Sequence, residues 1–468
     1  MKKISTKMLK TGLLLAFTVI GFAVKAQTLA SNVDGTTIVA TTSTTIANKS
    51  DKANAEANTQ PATAAKTTTK AADADTSWKP QRRLWGYAFG DEYYAGHSDP
   101  ANRGSETMYN GVPTNRNAFQ FRRLYLGYDY EITKKFKAEV LLSSEPNANT
   151  GVNGSTSIQN GDNLVDGKMA FWIKNFNLRV RDVWAGTDFV IGEMSTPGFA
   201  LNEPGTNAPV SLSEATWGYR SIEKTITDFH KNNSYDVGAA LQGTFDPATK
   251  NFGYVAMVGN NSTSSLLSAA NANTGFYKIF YGVLWGKFLN KKLFVDVYAD
   301  YAKTAAATAS IPGQDHSMLK IFASYTAKPI TIGVEAYTQS IASGVNSVTT
   351  ATPAVTTPQD ATVNGFSIWV KGPIVKNWSY FARFDTYNPD TNFNTADTYT
   401  VNTNYGSYNP TVKEQFYTGG VDYNPIKNVH FMPNFWLVNY SNQGPTATSV
   451  VNEHTIVYRF TFFYTFGK

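Results

Sequence analysis

The sequence predicts an all-β chain: a transmembrane antiparallel β-barrel of about sixteen strands, with short periplasmic turns at one end and long external loops at the other. Three observations carry this prediction: the alternation of the last strand, a cleavable leader with no later apolar span, and a regular succession of short and long connections. From His454 to Phe466 the even positions read His454, Ile456, Tyr458, Phe460, Phe462, Tyr464 and Phe466, while the odd ones include Thr455, Arg459, Thr461 and Thr465. A period of two gives a strand with one apolar, aromatic face and one polar face. In a soluble sandwich that aromatic face needs a second sheet against it. In a membrane barrel it meets lipid.

At the other end, Lys2, Lys3, Lys7 and Lys10 precede an apolar run from Leu13 to Val24, and Val24-Lys25-Ala26 offers a small-residue cleavage site before Gln27. This predicts a secretory signal peptide over 1–26. The run falls short of the ~20 residues that a spanning helix needs, which disfavours an uncleaved anchor. Residues 27–77 are mostly Ala, Thr, Asn, Lys and Asp without an aromatic. Such a segment cannot bury enough apolar surface to offset its ordering entropy, so a disordered periplasmic tail is expected there. Aromatics resume at Trp78, and 78–468 is the expected outer-membrane barrel.

Composition narrows the classes. Removing the five leader lysines (2, 3, 7, 10 and 25) takes the 41 basic residues to 36, against 35 acidic ones, so no global charge favours a nucleic-acid partner. The absence of cysteine excludes disulfides and thiolate metal sites. With 26 Tyr and 29 Phe among many Gly, Asn and Thr, the chain suits β-structure carrying interfacial aromatics. A mean hydropathy of -0.29 is no objection, because alternation averages the lipid face away.

Alternation and turn residues place strands near 84–94, 118–131, 135–145, 173–185, 188–194, 234–246, 251–260, 275–288, 292–303, 316–327, 329–340, 362–371, 377–388, 412–424, 427–440 and 453–466. Seven short connections alternate with eight long ones, and both ends of the barrel segment fall on the short-turn side. Pro433 is an unusual residue for a paired strand.

The alternation also assigns faces. Leu124, Leu126, Tyr128 and Tyr130 oppose Arg123, Tyr125, Gly127 and Asp129; Val237, Ala239, Leu241 and Phe245 oppose Asp236, Gly238, Gln242 and Thr244. Likewise Leu293, Val295, Val297, Ala299 and Tyr301 oppose Asp296, Tyr298 and Asp300. Arg or Lys on the lipid face costs about 2–4 kcal/mol at mid-bilayer, so the charged set belongs to the lumen. Sixteen strands leave room for water inside, and passage of small hydrophilic solutes is the expected function.

The stretch FRRLYLGYDYEITKKFKAEV (121–140), then FNLRVRDVWAGTDFVIGEMSTPGF (176–199) and YDVGAALQGTF (235–245), resembles the phosphate-selective porin O and P family. The resemblance covers about the first third of the barrel. It implies a sixteen-stranded porin, usually a homotrimer in outer-membrane lipid, whose third external loop folds into the pore. Here the third long connection, 195–233, is also the longest. Anion selectivity in that family implies basic pore-lining residues, and the candidates are Arg123, Arg179, Arg181, Lys278, Lys320, Arg383 and Arg459, with Arg220 and Lys224 in the loop. Arg123, Arg179 and Arg181 are expected to concentrate positive charge on one wall. Asp129, Glu139, Asp236, Asp296, Asp300, Glu335 and Asp385 share the inward face, so the expected preference for anions such as phosphate is mild. Arg220 and Lys224 against Glu214, Glu223 and Asp228 could set a transverse field.

Enzymatic readings find little support. His97, His230, His316, His430 and His454 are scattered, with no pair at metal-ligand spacing, so neither a metal nor another cofactor is expected. Neither a nucleophile elbow nor a phosphate-cradling loop occurs. Gly96-His97-Ser98-Asp99 reads as a polar turn. Two other readings are a surface adhesin that binds glycans through its Asn/Thr-rich loops and, further off, a barrel hydrolase.

Overall fold

In the computed structural model the chain divides into two units, Met1–Lys79 and Pro80–Lys468. The structure describes residues 78–99, 112–144, 164–165, 168–169, 171–198, 225–230, 234–261, 277–304, 313–348, 353, 355–393, 398–401, 412–442 and 452–467. The expected signal peptide and tail lie outside the described residues.

The wall consists of β1 (Gln81–His97), β2 (Asn117–Glu131), β3 (Phe136–Ser144), β4 (Trp172–Trp184), β5 (Thr187–Ser195), β6 (Tyr235–Thr244), β7 (Phe252–Gly259) and β8 (Ile279–Phe288). It continues with β9 (Leu293–Ala302), β10 (His316–Thr326), β11 (Thr331–Val348), β12 (Thr356–Val375), β13 (Trp378–Asn388), β14 (Val412–Ile426), β15 (Val429–Asn442) and β16 (Asn452–Phe466). Each pairs antiparallel with its sequence neighbours, and β16 pairs with β1 from Gly86↔Phe466 to His97↔Ile456, closing a sixteen-stranded barrel. Closure leaves no edge unpaired among the sixteen described wall strands, the condition for β-structure in hydrocarbon. A four-residue strand, Thr398–Val401, adds to the outer end of β11.

Every strand expected from alternation is present, including 188–194 and 427–440. Pro433 sits inside β15 opposite Phe460 of β16, while toward β14 the ladder lacks pairs between Gly420↔Asn434 and Tyr423↔Phe431. Proline has no N–H to give, so the ladder lapses on that side alone.

The tight turns follow from their residues. Thr133 Oγ1 accepts the N–H groups of Lys135 and Phe136 between β2 and β3. Leu289, Asn290 and Lys291 take φ of 52°, 55° and 65° between β8 and β9. Asp246 caps the turn between β6 and β7. Burial opposes its charge, yet bonds from the Thr249 hydroxyl and the N–H groups of Asn251 and Phe252 outweigh this and hold the carboxyl below its ordinary range.

Side chains sort by face as alternation requires. Leu84, Ile191, Val297, Leu319, Ile321, Ile368, Tyr458 and Phe460 are exposed on the outside, whereas Asp129, Gln242, Asp296, Lys320 and Arg383 are buried on the inside. At the short-turn end Phe136, Trp184, Phe245, Phe252, Phe288, Tyr325, Trp378 and Tyr464 stand outward as an aromatic girdle. Some of its rings meet neighbouring rings, Phe245 with Tyr254 at 5.1 Å and Trp378 with Tyr423 at 4.8 Å. Such a belt seats a barrel at the interface between headgroups and hydrocarbon. Ile321 lies mid-strand between Val297 and Ala336 and is half exposed. Ile321→Arg is therefore expected to destabilise the bilayer-inserted barrel by about 2–4 kcal/mol, read as an earlier denaturant midpoint in reversible unfolding from vesicles.

Candidate functional site: the barrel lumen

The inner wall is lined with charged, hydroxyl and aromatic side chains, and a segment of the third long connection lies across it. The connection leaves β5 at Thr196, where the Thr196 N–H is bonded to Ser234 O at 3.0 Å. Gly198 O then accepts a bond from Lys320 Nζ of β10. A short helix, α1 (Ile226–Phe229), precedes the return to β6. Its Phe229 is 4% exposed, with ring centroids 5.6 Å from Phe416 of β14 and 5.7 Å from Trp436 of β15. Thr227 Oγ1 donates to Glu335 Oε1 of β11, and the His230 ring stacks on Tyr387 of β13 at 3.4 Å. Strands β13 to β15 stand six to eight places around the closed wall from β5 and β6. The described residues 225–230 of this connection therefore rest against wall strands remote from those it joins.

The pore-lining residues expected from the sequence fall as follows. Arg123, Arg179, Lys320, Arg383 and Arg459 are all buried inside. Carboxylates accompany most of them: Arg179 to Asp188 at 3.2 Å, Arg383 to Asp385 at 2.6 Å, Lys320 to Glu335 at 3.9 Å and Arg459 to Asp91 at 3.8 Å. Arg383 holds Asp385 through both Nε and Nη2, the planar match that guanidinium gives a carboxylate. Arg181 sits at the short-turn end of β4, bonded through both terminal nitrogens to Glu131. Arg220 and Lys224, with Glu214 and Glu223, lie outside the described residues, as does the side chain of Asp228.

The register parts Arg123 from the other two arginines. Glu131 pairs with Lys137, and Lys137 with Arg179, so Arg179 is level with a point eight residues along β2 from Arg123. That is roughly 27 Å along the strand, too far for one positive cluster.

A different basic group forms instead. The β1–β2 ladder pairs Phe89 with Arg123 but Gly90 with Phe121, which leaves Arg122 as the extra residue of a bulge. The β3–β4 ladder passes from Leu141↔Asn175 to Leu142↔Ile173, leaving Lys174 as the extra residue of another. A bulge re-aims a side chain, and here each turns a charge inward: Arg122 is 1% exposed and Lys174 5%. Lys174 and Arg123 meet at Tyr125. Lys174 Nζ donates to its hydroxyl, and Arg123 Cζ lies 5.1 Å from its ring centroid. Arg122 and Arg459 flank Asp91, each at 3.8 Å. Four cations thus line the wall from β16 through β1 to β4: Arg459 on β16, Arg122 and Arg123 on β2 and Lys174 on β4. Arg122 and Lys174 were not among the expected residues, although an Arg-Arg pair inside a strand is a signal: strict alternation would put one of them in lipid.

Carboxylates gather elsewhere on the wall. Asp236 of β6 accepts bonds from Tyr281 Oη at 2.8 Å and from the N–H groups of Asn260 and Asn261. On β9, Asp300 accepts the Tyr298 hydroxyl and the Met318 N–H, and Asp296 is wholly buried. Basic and acidic sectors therefore occupy different parts of the circumference.

Barrel closure also brings together residues that sequence spacing kept apart. His97, at the end of β1, has Nε2 2.8 Å from Glu453 Oε1, and His454 Nδ1 is 3.2 Å from the same oxygen. Widely scattered in sequence, the two histidines stack with centroids 4.4 Å apart.

No protein-family profile matches the chain, and no curated protein matches it. Among solved structures it is similar to the outer membrane channel DcaP of Acinetobacter baumannii, at 11% identity over 83% of this chain and 97% of that one, with a TM-score of 0.50. An anion-selective porin from Comamonas acidovorans gives 11% identity, 83% and 100% coverage and a TM-score of 0.49. OmpF of Salmonella typhi, in complex with daunomycin, gives 11%, 82% and 97%, and 0.46. What the chain shares with DcaP is the fold, that of an outer-membrane barrel.

Proposed function

We propose that the chain is an outer-membrane porin through which small hydrophilic solutes diffuse passively. The observation that carries this reading is a connection fixed near both of its ends inside a polar-lined barrel of sixteen strands: Lys320 grips it at Gly198, and Phe416 and Trp436 receive Phe229. A barrel of this width holds water, and segments anchored inside it narrow the path. The paired state of Arg179, Lys320, Arg383 and Arg459 supports weak charge selection. A mild preference for anions such as phosphate is the finer part of the proposal. It rests on the resemblance to the phosphate-selective porins and on the positive charge that Arg122, Arg123 and Lys174 place in the inner wall. A homotrimer, a signal peptide over 1–26 and a dispensable tail over 27–77 complete it.

Single-channel recording in planar bilayers tests the proposal. The purified chain should give discrete conductance steps, and in a KCl gradient a small reversal potential of the sign for chloride over potassium. Silence from protein that is folded, as judged by heat-modifiable mobility, would overturn the channel reading. A reversal potential of the opposite sign would overturn only the anion preference.

A further inference from the structure

We propose that His97, Glu453 and His454 form a binding site for a divalent transition ion such as Zn2+ at the outer rim of the barrel, where the first and last strands meet. The three residues come from both sides of the closing seam, with Glu453 356 positions from His97. One nitrogen from each imidazole and one carboxylate oxygen lie within 4.8 Å of one another. Two imidazoles and a carboxylate are the donor set of three-ligand zinc sites, in which a water takes the fourth place. Tetrahedral bonds of 2.0–2.1 Å require ligand atoms ~3.3 Å apart. The spacings of 2.8 and 3.2 Å to Glu453 Oε1 approach that value, so small side-chain rotations admit an ion.

The backbone contributes a second observation. Ala95 pairs with Val457 but His97 pairs with Ile456, so Gly96 is the extra residue of a bulge at this point. That bulge changes the direction of His97 relative to the strand below it and brings the ring over His454. A regular ladder would have continued β1 with His97 one place out of phase.

The position makes the site reachable. His454 precedes Tyr464 of the aromatic girdle by ten residues, about 33 Å of strand. At a tilt of about 40° this is a rise of about 25 Å, the height of an apolar band. The site therefore stands at the far edge of that band, on the aqueous rim. The side chains of His97, Glu453 and His454 retain 35%, 24% and 44% of their exposure. An ion bound there would tie β1 to β16 at the outer end of the seam.

Isothermal titration of Zn2+ into the untagged, full-length barrel in detergent at pH 7.5 tests the inference. One ion per chain is expected to bind, with affinity weakened roughly tenfold or more by His97→Ala and by His454→Ala. Glu453→Gln keeps the local hydrogen bonding but removes the anionic ligand, and it should weaken binding too. Cobalt should give the intense visible bands of a tetrahedral ion with the wild type and not with the variants. Zinc should raise the temperature of heat-modification of the wild type alone. Absence of a site tighter than about 1 mM, or equal binding by the three folded variants, would overturn the assignment.

Discussion

A chain ending before Phe460 is expected to lose the barrel altogether. Residues from Phe460 to Phe466 supply pairs to both neighbours, from Glu92↔Phe460 to Gly86↔Phe466 on β1 and from Pro433↔Phe460 to Val429↔Tyr464 on β15. Without them two strand edges would face hydrocarbon, where each unpaired backbone group costs several kcal/mol. The seam also has side-chain complementarity. A Cβ at Gly86 would stand 2.4 Å from Phe466 Cζ, and one at Gly90 2.6 Å from Phe462 Cζ, so these rings lie over bare backbone. Truncation after Arg459 should abolish heat-modifiable mobility and membrane insertion. Normal mobility from the truncated chain would show that β15 can close on β1 without it.

The barrel was legible in the sequence because lipid and water on opposite faces of one strand impose a period of two that turns interrupt. Where that contrast ends, legibility ends. β11 and β12 continue outward through Ile341–Val348 and Thr356–Ala361, well past the expected 329–340 and 362–371. Those extensions are rich in Ser, Thr, Asn and Ala and read as loop, and they are held by Thr398–Val401 and by each other, with no face selected for lipid. The lumen was legible by face but not by height. Arg123 and Arg179 are both inward, yet their vertical separation depends on register, which no local pattern records. Arg122 and Lys174 were missed because a bulge breaks the parity used to assign faces. The meeting of His97 with His454 follows from closure alone.

Shortening the loop between Gly198 and Thr225 is expected to raise single-channel conductance roughly twofold or more, since conductance follows the narrowest open cross-section. The loop is held at separate points around the wall. Gly198 is fixed to Lys320, and Lys320 lies beside Glu335 at 3.9 Å. Glu335 in turn accepts Thr227 at 3.3 Å, so one pair of charges joins the outgoing and returning legs. Beyond it, Phe229 enters an aromatic seat in which Phe416 and Trp436 stand edge to face at 5.4 Å, with Arg383 Cζ 5.6 Å from the Phe229 ring centroid. Burying a phenylalanine side chain contributes about 1.5–3 kcal/mol, more than an exposed loop would otherwise have to hold it inward. Phe229→Ala should therefore act in the same direction as the deletion, giving larger and noisier openings as the returning leg detaches. The wall pairs on other strands do not depend on this contact, so heat-modifiable mobility should be retained. Equal conductance in wild type, deletion and Phe229→Ala would mean that the narrowest point lies elsewhere, in the wall between the sector of Arg122, Arg123 and Lys174 and that of Asp236, Asp296 and Asp300.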